Sequence, residues 1–199
     1  MKPIKMLGLA ALTALMAMAF VGVSSAMAEH TALCETDAAL CAEPVEHVHE
    51  ETLSGAQATL LSSVLTVKCD VLFLGDTLGG GLANPLVIHG TFTYANCNNN
   101  CTATEENSPA EIKVSREGTE LAKVTGEGLV HLVCGSFINC KYNGLGLQGH
   151  GLGPLTSSET NGSVNLSEQT TNKESGTFCP STAKLDITTT PLEPVYISS

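Results

Sequence analysis

From about Ala58 onward, apolar and polar side chains alternate along the chain with a period of two residues. The clearest stretch places Leu65, Val67, Cys69, Val71 and Phe73 on one side of an extended chain. Such alternation is typical of a β-strand that buries one face and exposes the other. It constrains the fold strongly, because the 3.6-residue period of a helix would scatter these side chains around its circumference.

Further strands with the same pattern follow at short intervals, separated by turn residues. They carry Leu86, Ile88, Phe92 and Tyr94; Ile112 and Val114; residues 119–125; residues 129–134; Ile138, Cys140 and Tyr142; Val164 and Leu166; Leu185, Ile187 and Thr189; and, as a last edge strand, Val195 and Ile197. The predicted turns include residues 79–81, Gly126 with Gly128, Asn143-Gly144, residues 105–109 and Asn161-Gly162, while residues 144–154 form either a bent glycine-rich strand or a loop. The sequence predicts an all-β, antiparallel, disulfide-stapled domain, a sandwich or barrel of about eight to ten short strands.

The first 28 residues have the composition of a secretory signal peptide. Lys2 and Lys5 supply a positive start, residues 7–23 form an uncharged apolar stretch, and Ala26-Met27-Ala28 is a small-x-small cleavage site. We expect cleavage after Ala28, with cleavage after Ala26 as the alternative. No later run is apolar over the roughly 20 residues that a membrane span needs. The sequence therefore predicts a secreted, extracellular protein with an acidic N-terminal arm at 29–56 and a single β domain at 57–199.

The cysteine count is even, and in an exported protein this indicates disulfide bonds. The eight cysteines are Cys34, Cys41, Cys69, Cys97, Cys101, Cys134, Cys140 and Cys179. They allow about a hundred pairings, so the connectivity stays open. Cys34/Cys41 and Cys97/Cys101 are spaced to close local loops, the second around a turn at residues 98–100.

Two other uses of these cysteines are possible. Cys69 and Cys134 lie on the inward faces of two predicted strands, so a bridge between them would cross the core. Cys97-x3-Cys101 has a spacing that suits zinc. However, zinc needs a second matching pair, and Cys134-x5-Cys140 matches poorly, so disulfides are favoured.

The chain carries 9 basic and 20 acidic side chains, which gives a formal net charge of −11. Nucleic-acid binding depends on a basic face that displaces counterions from phosphates. A chain this acidic would repel nucleic acid and anionic membranes, so both are excluded as partners. We interpret the acidity as a source of solubility, and no motif indicates a cofactor.

His47-Val48-His49-Glu50 is the candidate metal-binding motif. In a strand His47 and His49 would share a face, so both imidazoles could bind one metal ion. Copper–zinc superoxide dismutases carry a similar His-x-His on a β-sandwich, and the resemblance covers these four residues. It implies a metal site, although the further histidines and aspartate of such a site have no matching motif here. The alternative is a solvated acidic segment without core residues to hold the two ligands in place.

No catalytic residue is predicted, since the chain lacks both Gly-x-Ser-x-Gly and His-Glu-x-x-His. We interpret His89, on the outer face of its strand, and His131 as hydrogen-bonded structural residues. Sugar sites usually need aromatic platforms, and the chain has no Trp. The first hypothesis is a secreted non-enzymatic protein with a binding or structural role and an unknown ligand. The second is a secreted metal-binding protein or metal-dependent enzyme that uses His47 and His49.

Overall fold

The structure is a computed structural model that describes residues 31–36, 41–52, 55–79, 82–117, 121–152 and 162–198. These residues form thirteen strands: β1 Thr31–Cys34, β2 His47–Thr52, β3 Ala58–Leu61, β4 Thr66–Thr77, β5 Leu82–Ala83, β6 Leu86–Ala95, β7 Cys101–Glu105, β8 Ala110–Glu117, β9 Leu121–Cys134, β10 Ile138–Leu152, β11 Ser163–Thr177, β12 Thr182–Pro191 and β13 Tyr196–Ser198. The described residues contain no helix, and thus no helix that could cross a membrane. The all-β, antiparallel prediction is confirmed.

Eight strand positions close into an antiparallel barrel, which decides between the sandwich and the barrel. The order around it is β4, β6, β8, β9, β10, β11, β12 and a position shared by β2 and β3, which both pair with β12 and β4. β9 and β10 close the ring. β8 and β7 pair with successive halves of β9. Each of the eight positions has a hydrogen-bonded neighbour on both sides of the ring, whereas β7 pairs only with β9 among the described strands.

A second sheet, termed the plug sheet, contains three strands in the order β13-β1-β5 and packs against one end of the barrel. Its Leu33 and Ile197 belong to the same core cluster as Leu86 of the barrel. The Thr31 hydroxyl accepts a hydrogen bond from the backbone N–H of Arg116 at 2.8 Å, which ties β1 to the end of β8. β13 lies at an edge of this sheet, as predicted for the last strand.

All eight cysteines are paired, as Cys34–Cys41, Cys69–Cys97, Cys101–Cys134 and Cys140–Cys179. The predicted local pair Cys34–Cys41 is confirmed, and no cysteine is left free for zinc. The other two predicted pairs, Cys97/Cys101 and Cys69/Cys134, are wrong. The turn at residues 98–100 separates Cys97, which is bonded to Cys69 on β4, from Cys101, where β7 begins. Cys101 then lies opposite its partner Cys134 on β9.

The last three bridges lie at the end of the barrel opposite the plug sheet, termed the disulfide end. Here β4, the end of β6, β7, the end of β9 and the start of β10 come together. Four disulfides fit an oxidising environment of the extracellular type.

β9 and β10 are longer than the predicted short strands. β9 runs unbroken through Gly126 and Gly128, and β10 through Asn143-Gly144, so the turns predicted there are wrong. Gly126 serves close packing, since a Cβ there would lie 2.7 Å from Cδ1 of Ile112. β10 bends at a register shift between Gly144 and Leu147. The bent-strand alternative for this segment is thus confirmed as far as β10 extends.

The described part of the predicted acidic arm belongs to the fold. Residues 1–30, with the predicted signal peptide, lie outside the described residues. β1 is completely buried in the plug sheet, and β2 pairs with β4 and β12 in the barrel. Val48 and Glu50 point into the barrel while His47 and His49 face outward. The expectation that this segment lacks core residues is therefore wrong. The inward positions of β2 carry only one apolar side chain, too few to show the alternation.

Candidate ligand-binding cavity

The barrel interior holds a cavity of about 190 Å³. It extends from Leu33 and Ile197 at the plug sheet to Leu132 and Tyr142 toward the disulfide end, and its lining is almost entirely apolar. Protein interiors are otherwise packed about as densely as organic crystals, with few voids larger than a water molecule. A dry cavity of roughly 150 Å³ is enough to hold a benzene ring. This cavity therefore has room for a small molecule that contains a ring.

Two glutamates line the cavity on either side of two phenylalanines. Glu50 on β2 lies opposite Phe73 on β4, and Phe73 lies opposite Phe92 on β6. The backbone N–H of Phe92 donates a hydrogen bond to Oε2 of Glu105 on β7 at 3.0 Å. The four residues follow one another around the wall.

Glu50 is a buried acid with an unsatisfied oxygen. The residue is 7% exposed, the Thr189 hydroxyl hydrogen-bonds its carboxyl group, and its Oε2 has no partner among the described residues. Burial raises the pKa of Glu50 from 4.5 to about 8, and the hydrogen bond from Thr189 offsets only part of that rise. At pH 7 the carboxyl group is therefore mainly neutral.

Glu105 is a second acid of the same kind. Its Oε1 is buried without a partner among the described residues, and burial raises its pKa while the N–H of Phe92 opposes the rise. Burial raises the pKa of the neighbouring Tyr94 phenol, and the negative charge of Glu105 raises it further. A buried polar atom without a partner costs roughly 1–3 kcal/mol. The cavity thus offers two oxygens that a bound molecule could satisfy.

Phe73, Phe92 and Tyr94 form a continuous aromatic wall. The ring centroids of Phe73 and Phe92 are 4.7 Å apart, and those of Phe92 and Tyr94 are 6.5 Å apart. Gly75 and Gly90 lie opposite each other beside the Phe73 ring. A Cβ at Gly75 would lie 2.7 Å from Cζ of Phe73, and one at Gly90 would be closer still. The two glycines therefore allow this ring to lie against the strands.

Near the middle of β9 the cavity lining includes an exposed residue. Glu127 lines the cavity and is the one exposed residue among the described lining residues. It lies between Gly126 and Gly128, close to the bend of β10. The Asn107 side chain bridges this point, since it contacts the backbone O of Glu127 and the backbone N of Leu129 at 3.3 and 2.7 Å. Because Val124, Val130 and Leu132 point inward along β9, the Glu127 side chain lies on the outer face. There Glu111 chiefly, and the charge of Glu127 in addition, raise the pKa of Lys113.

The predicted metal ligands lie outside the barrel. His47 and His49 are both exposed on the outer face of β2. Nδ1 of His47 lies 2.6 Å from Oδ1 of Asp76, whereas His49 lies opposite Leu74. No group of three or more His, Cys, Asp or Glu side chains within the described ranges is placed to hold a metal ion. The structure brings the two histidines onto one face and places Asp76 beside His47, but no further ligand among the described residues completes a site.

The other two histidines considered in the sequence form hydrogen bonds or ion pairs. Nε2 of His89 lies 3.3 Å from Oε2 of Glu111 on the neighbouring strand. Nε2 of His131 lies 2.8 Å from Oδ1 of Asn139, and its Nδ1 lies 3.1 Å from Oε1 of Glu106. Neither residue lines the cavity. These contacts fit the structural role that was predicted for both.

Sequence reasoning missed Glu50 and Glu105 as candidate site residues. Glu50 was considered only as part of the His-x-His motif, and Glu105 as the start of a polar turn. The sequence did contain a signal for Glu50, which lies two residues from Val48, so that the two side chains share a strand face. A glutamate on the inward face of a strand is the kind of local conflict that marks functional sites.

Comparisons of the chain with protein-family models, with curated proteins and with solved structures find no match. The functional interpretation of the cavity therefore rests on its geometry and chemistry.

Proposed function

We propose that this protein is a secreted, non-enzymatic binding protein that holds one small, mainly apolar molecule inside its barrel. The observation that carries the proposal is the cavity of about 190 Å³, with its apolar lining and two carboxyl oxygens that have no partner among the described residues. Small-molecule sites usually combine an apolar lining with a few placed polar groups, and the interior of a β-barrel is a common location for them.

The energetic cost of these features favours binding over a purely structural role. An unfilled void costs roughly 24 cal/mol per Å³ in cavity-forming mutants, which amounts to about 4–5 kcal/mol for 190 Å³. The two unsatisfied carboxyl oxygens add to this cost. Larger apolar side chains could fill such a void in a domain selected only for stability. A binding protein retains this kind of destabilising feature because its ligand fills the space.

Titration with indole tests the proposal. Indole is bicyclic and mainly apolar, and the chain has no Trp, so its fluorescence reports the ligand with little protein background. We expect saturable one-to-one binding to the oxidised protein, with a Kd at or below about 1 mM.

A matched pair of variants locates the binding. Ala103 lines the cavity, and Ala95 is exposed at the end of β6. Ala103→Leu should weaken indole binding at least about tenfold because the added methyl groups occupy the cavity. Ala95→Leu should bind like the wild type. Equal binding by Ala103→Leu, or no saturable binding by the wild type, would show that the cavity is not a binding site.

A further inference from the structure

The chemistry of the lining narrows the ligand class. Three glutamates line the cavity, Glu50, Glu105 and Glu127, and none of the described lining residues is Lys, Arg or His. On the basis of the proposed binding function, we propose that the preferred ligand is a small apolar amine. Its ammonium group is held by Glu50, and its ring lies against Phe73 and Phe92.

The charge of the lining separates amines from acids. An anionic ligand would bring another negative charge into a poorly solvated space that contains carboxyl groups and no basic partner. An ammonium group would instead compensate the carboxylate that it meets. The net charge of −11 acts in the same direction, because it attracts cations.

Glu50 has the better placed of the two buried carboxyl groups. Each acid keeps one oxygen without a partner among the described residues, but Glu50 is buried, with 7% exposure, whereas Glu105 is only half-buried and is bonded through Oε2 to the N–H of Phe92. The bond from Thr189 orients the carboxyl group, and the remaining oxygen is the one that a ligand can reach. A hydrogen bond between an ammonium group and a carboxylate is about twice as strong as one between neutral groups.

The aromatic wall supplies the complementary apolar surface. Because Phe73 lies opposite Glu50, an amine bound at Glu50 would place its carbon skeleton beside the Phe73 and Phe92 rings. An aromatic ring of the ligand can stack on these side chains, and the faces of the same rings attract a cation. The volume of about 190 Å³ suits a molecule with one ring and a short aminoalkyl chain.

The buried acid makes binding depend on pH. The other titratable side chains that line the cavity are Tyr94, Glu105, Glu127 and Tyr142, whereas Phe73 and Thr189 on the strands next to Glu50 do not titrate. Burial holds the pKa of Glu50 at about 8, and an ammonium ligand stabilises the carboxylate. Amine binding therefore releases a proton below about pH 8. Affinity should rise with pH up to that point, since alkylamines stay charged to about pH 10.

Three molecules of matched size test the proposal by calorimetry: phenethylamine, 2-phenylethanol and phenylacetate. At about pH 7.5 we expect phenethylamine to bind at least about tenfold tighter than 2-phenylethanol, and phenylacetate to bind weakest. From about pH 6 to about pH 8 the affinity for phenethylamine should rise by up to roughly tenfold per pH unit. The affinity for the alcohol should not rise.

Variants at the two acids separate their roles. Glu50→Gln should weaken phenethylamine at least about tenfold, remove its pH dependence, and leave 2-phenylethanol within about twofold of wild type. Glu50→Asp, which keeps the charge, should retain part of the preference for the amine. Glu105→Gln should weaken phenethylamine less than Glu50→Gln does, because Glu105 is the less buried acid and its Oε2 already accepts the N–H of Phe92.

The outcomes distinguish the amine proposal from the binding function on which it rests. If indole binds but the alcohol equals or exceeds the amine, or if Glu50→Gln keeps the full amine affinity, the amine proposal is overturned and the cavity remains a binding site. If indole does not bind saturably, the binding function fails, and the amine proposal that rests on it fails as well. Thermal unfolding of each variant shows whether it is folded, so a loss of amine affinity in a folded Glu50→Gln that still binds indole supports the assignment.

Discussion

The two ends of the barrel are closed by different means. At the disulfide end three bridges connect adjoining segments of chain, namely Cys69–Cys97, Cys101–Cys134 and Cys140–Cys179. At the plug end the closure is a separate three-stranded sheet, held by hydrogen bonds and apolar packing. Its one bridge, Cys34–Cys41, closes a short loop next to β1. Packing contacts are lost in local opening while covalent links persist, so local unfolding should begin at the plug end.

The bridges at the disulfide end also close larger loops. Their sequence separations are 28, 33 and 39 residues, compared with 7 at the plug end. The three large loops follow one another along the chain without overlapping. In the chain-entropy account of disulfides, stabilisation grows with the logarithm of loop length. Each of the three should therefore stabilise the fold more than Cys34–Cys41 does.

The largest effect is expected from removing a bridge at the disulfide end. Cys101→Ala/Cys134→Ala should lower the free energy of unfolding by about 4 kcal/mol, and Cys34→Ala/Cys41→Ala by about 2.5 kcal/mol. Urea unfolding of the two double variants, with the remaining bridges verified by mass spectrometry, measures both losses. A larger loss at the plug end would mean that loop length does not set the contrast between the ends.

The second effect concerns the buried acid between the two ends. Glu50 binds its proton more tightly in the folded state, with a pKa of about 8, than in the unfolded state, where 4.5 applies. Between these values the folded state holds a proton that the unfolded state has released, so stability must fall as pH rises. The loss from about pH 5 to about pH 8 should be on the order of 3 kcal/mol. Glu50→Gln should remove it.

The difference between wild type and Glu50→Gln isolates this effect from other groups. Side-chain hydrogen bonds are the main cause of lowered pKa values at Asp70, Glu106 and Glu111, so these groups titrate below this interval. Urea unfolding at several pH values gives the curve. Hydrogen exchange at about pH 8 should quicken in β1 and β13 before it does in β9 at the disulfide end. Stability that rises over this interval in the wild type alone would contradict the assignment.

A third, smaller effect tests the plug end directly. Ile197 is 6% exposed and belongs to the plug-end core cluster. Ile197→Ala should cost about 2 kcal/mol, at the low end for such truncations, because an edge strand beside a cavity can partly collapse. Its distinguishing result is local: hydrogen exchange should quicken in β1 and β13. Leu132→Ala at the disulfide end is the matched control and should lower global stability without opening the plug sheet first.

The sequence predicts strand faces well because side-chain alternation is a local property. The inward face of β4 and the inward residues of β6 and β12 follow directly from apolar spacing, and the even cysteine count predicts that all cysteines pair. Alternation does not state which strand lies beside which, so it could not decide between a sandwich and a barrel. For the same reason it could not pair Cys101 with Cys134, which meet only through the alignment of β7 with β9.

The candidate site was harder to predict than the fold. Its cavity exists only once the barrel closes, and its two acids come from segments that look polar in sequence. Glu50 lies in a stretch dominated by His47 and His49, and Glu105 begins a predicted turn. Glycine was misleading in another way: Gly126 and Gly128 resemble turn residues, yet they lie inside β9, where one of them accommodates the Ile112 side chain. The residue type alone does not show whether a glycine forms a turn or makes room for a neighbouring side chain.

The smallest effect should come from Phe137, at the tip of the disulfide end. This side chain is 76% exposed, in the turn between β9 and β10, close to Cys134 and Cys140. If the bridges and the strands hold this end, Phe137→Ser should change the free energy of unfolding by no more than about 0.5 kcal/mol, as is usual for exposed positions. Urea unfolding beside Ile197→Ala provides the comparison. A loss above about 1 kcal/mol would mean that apolar packing also stabilises the disulfide end. The two ends would then differ only in how much such packing contributes to their stability.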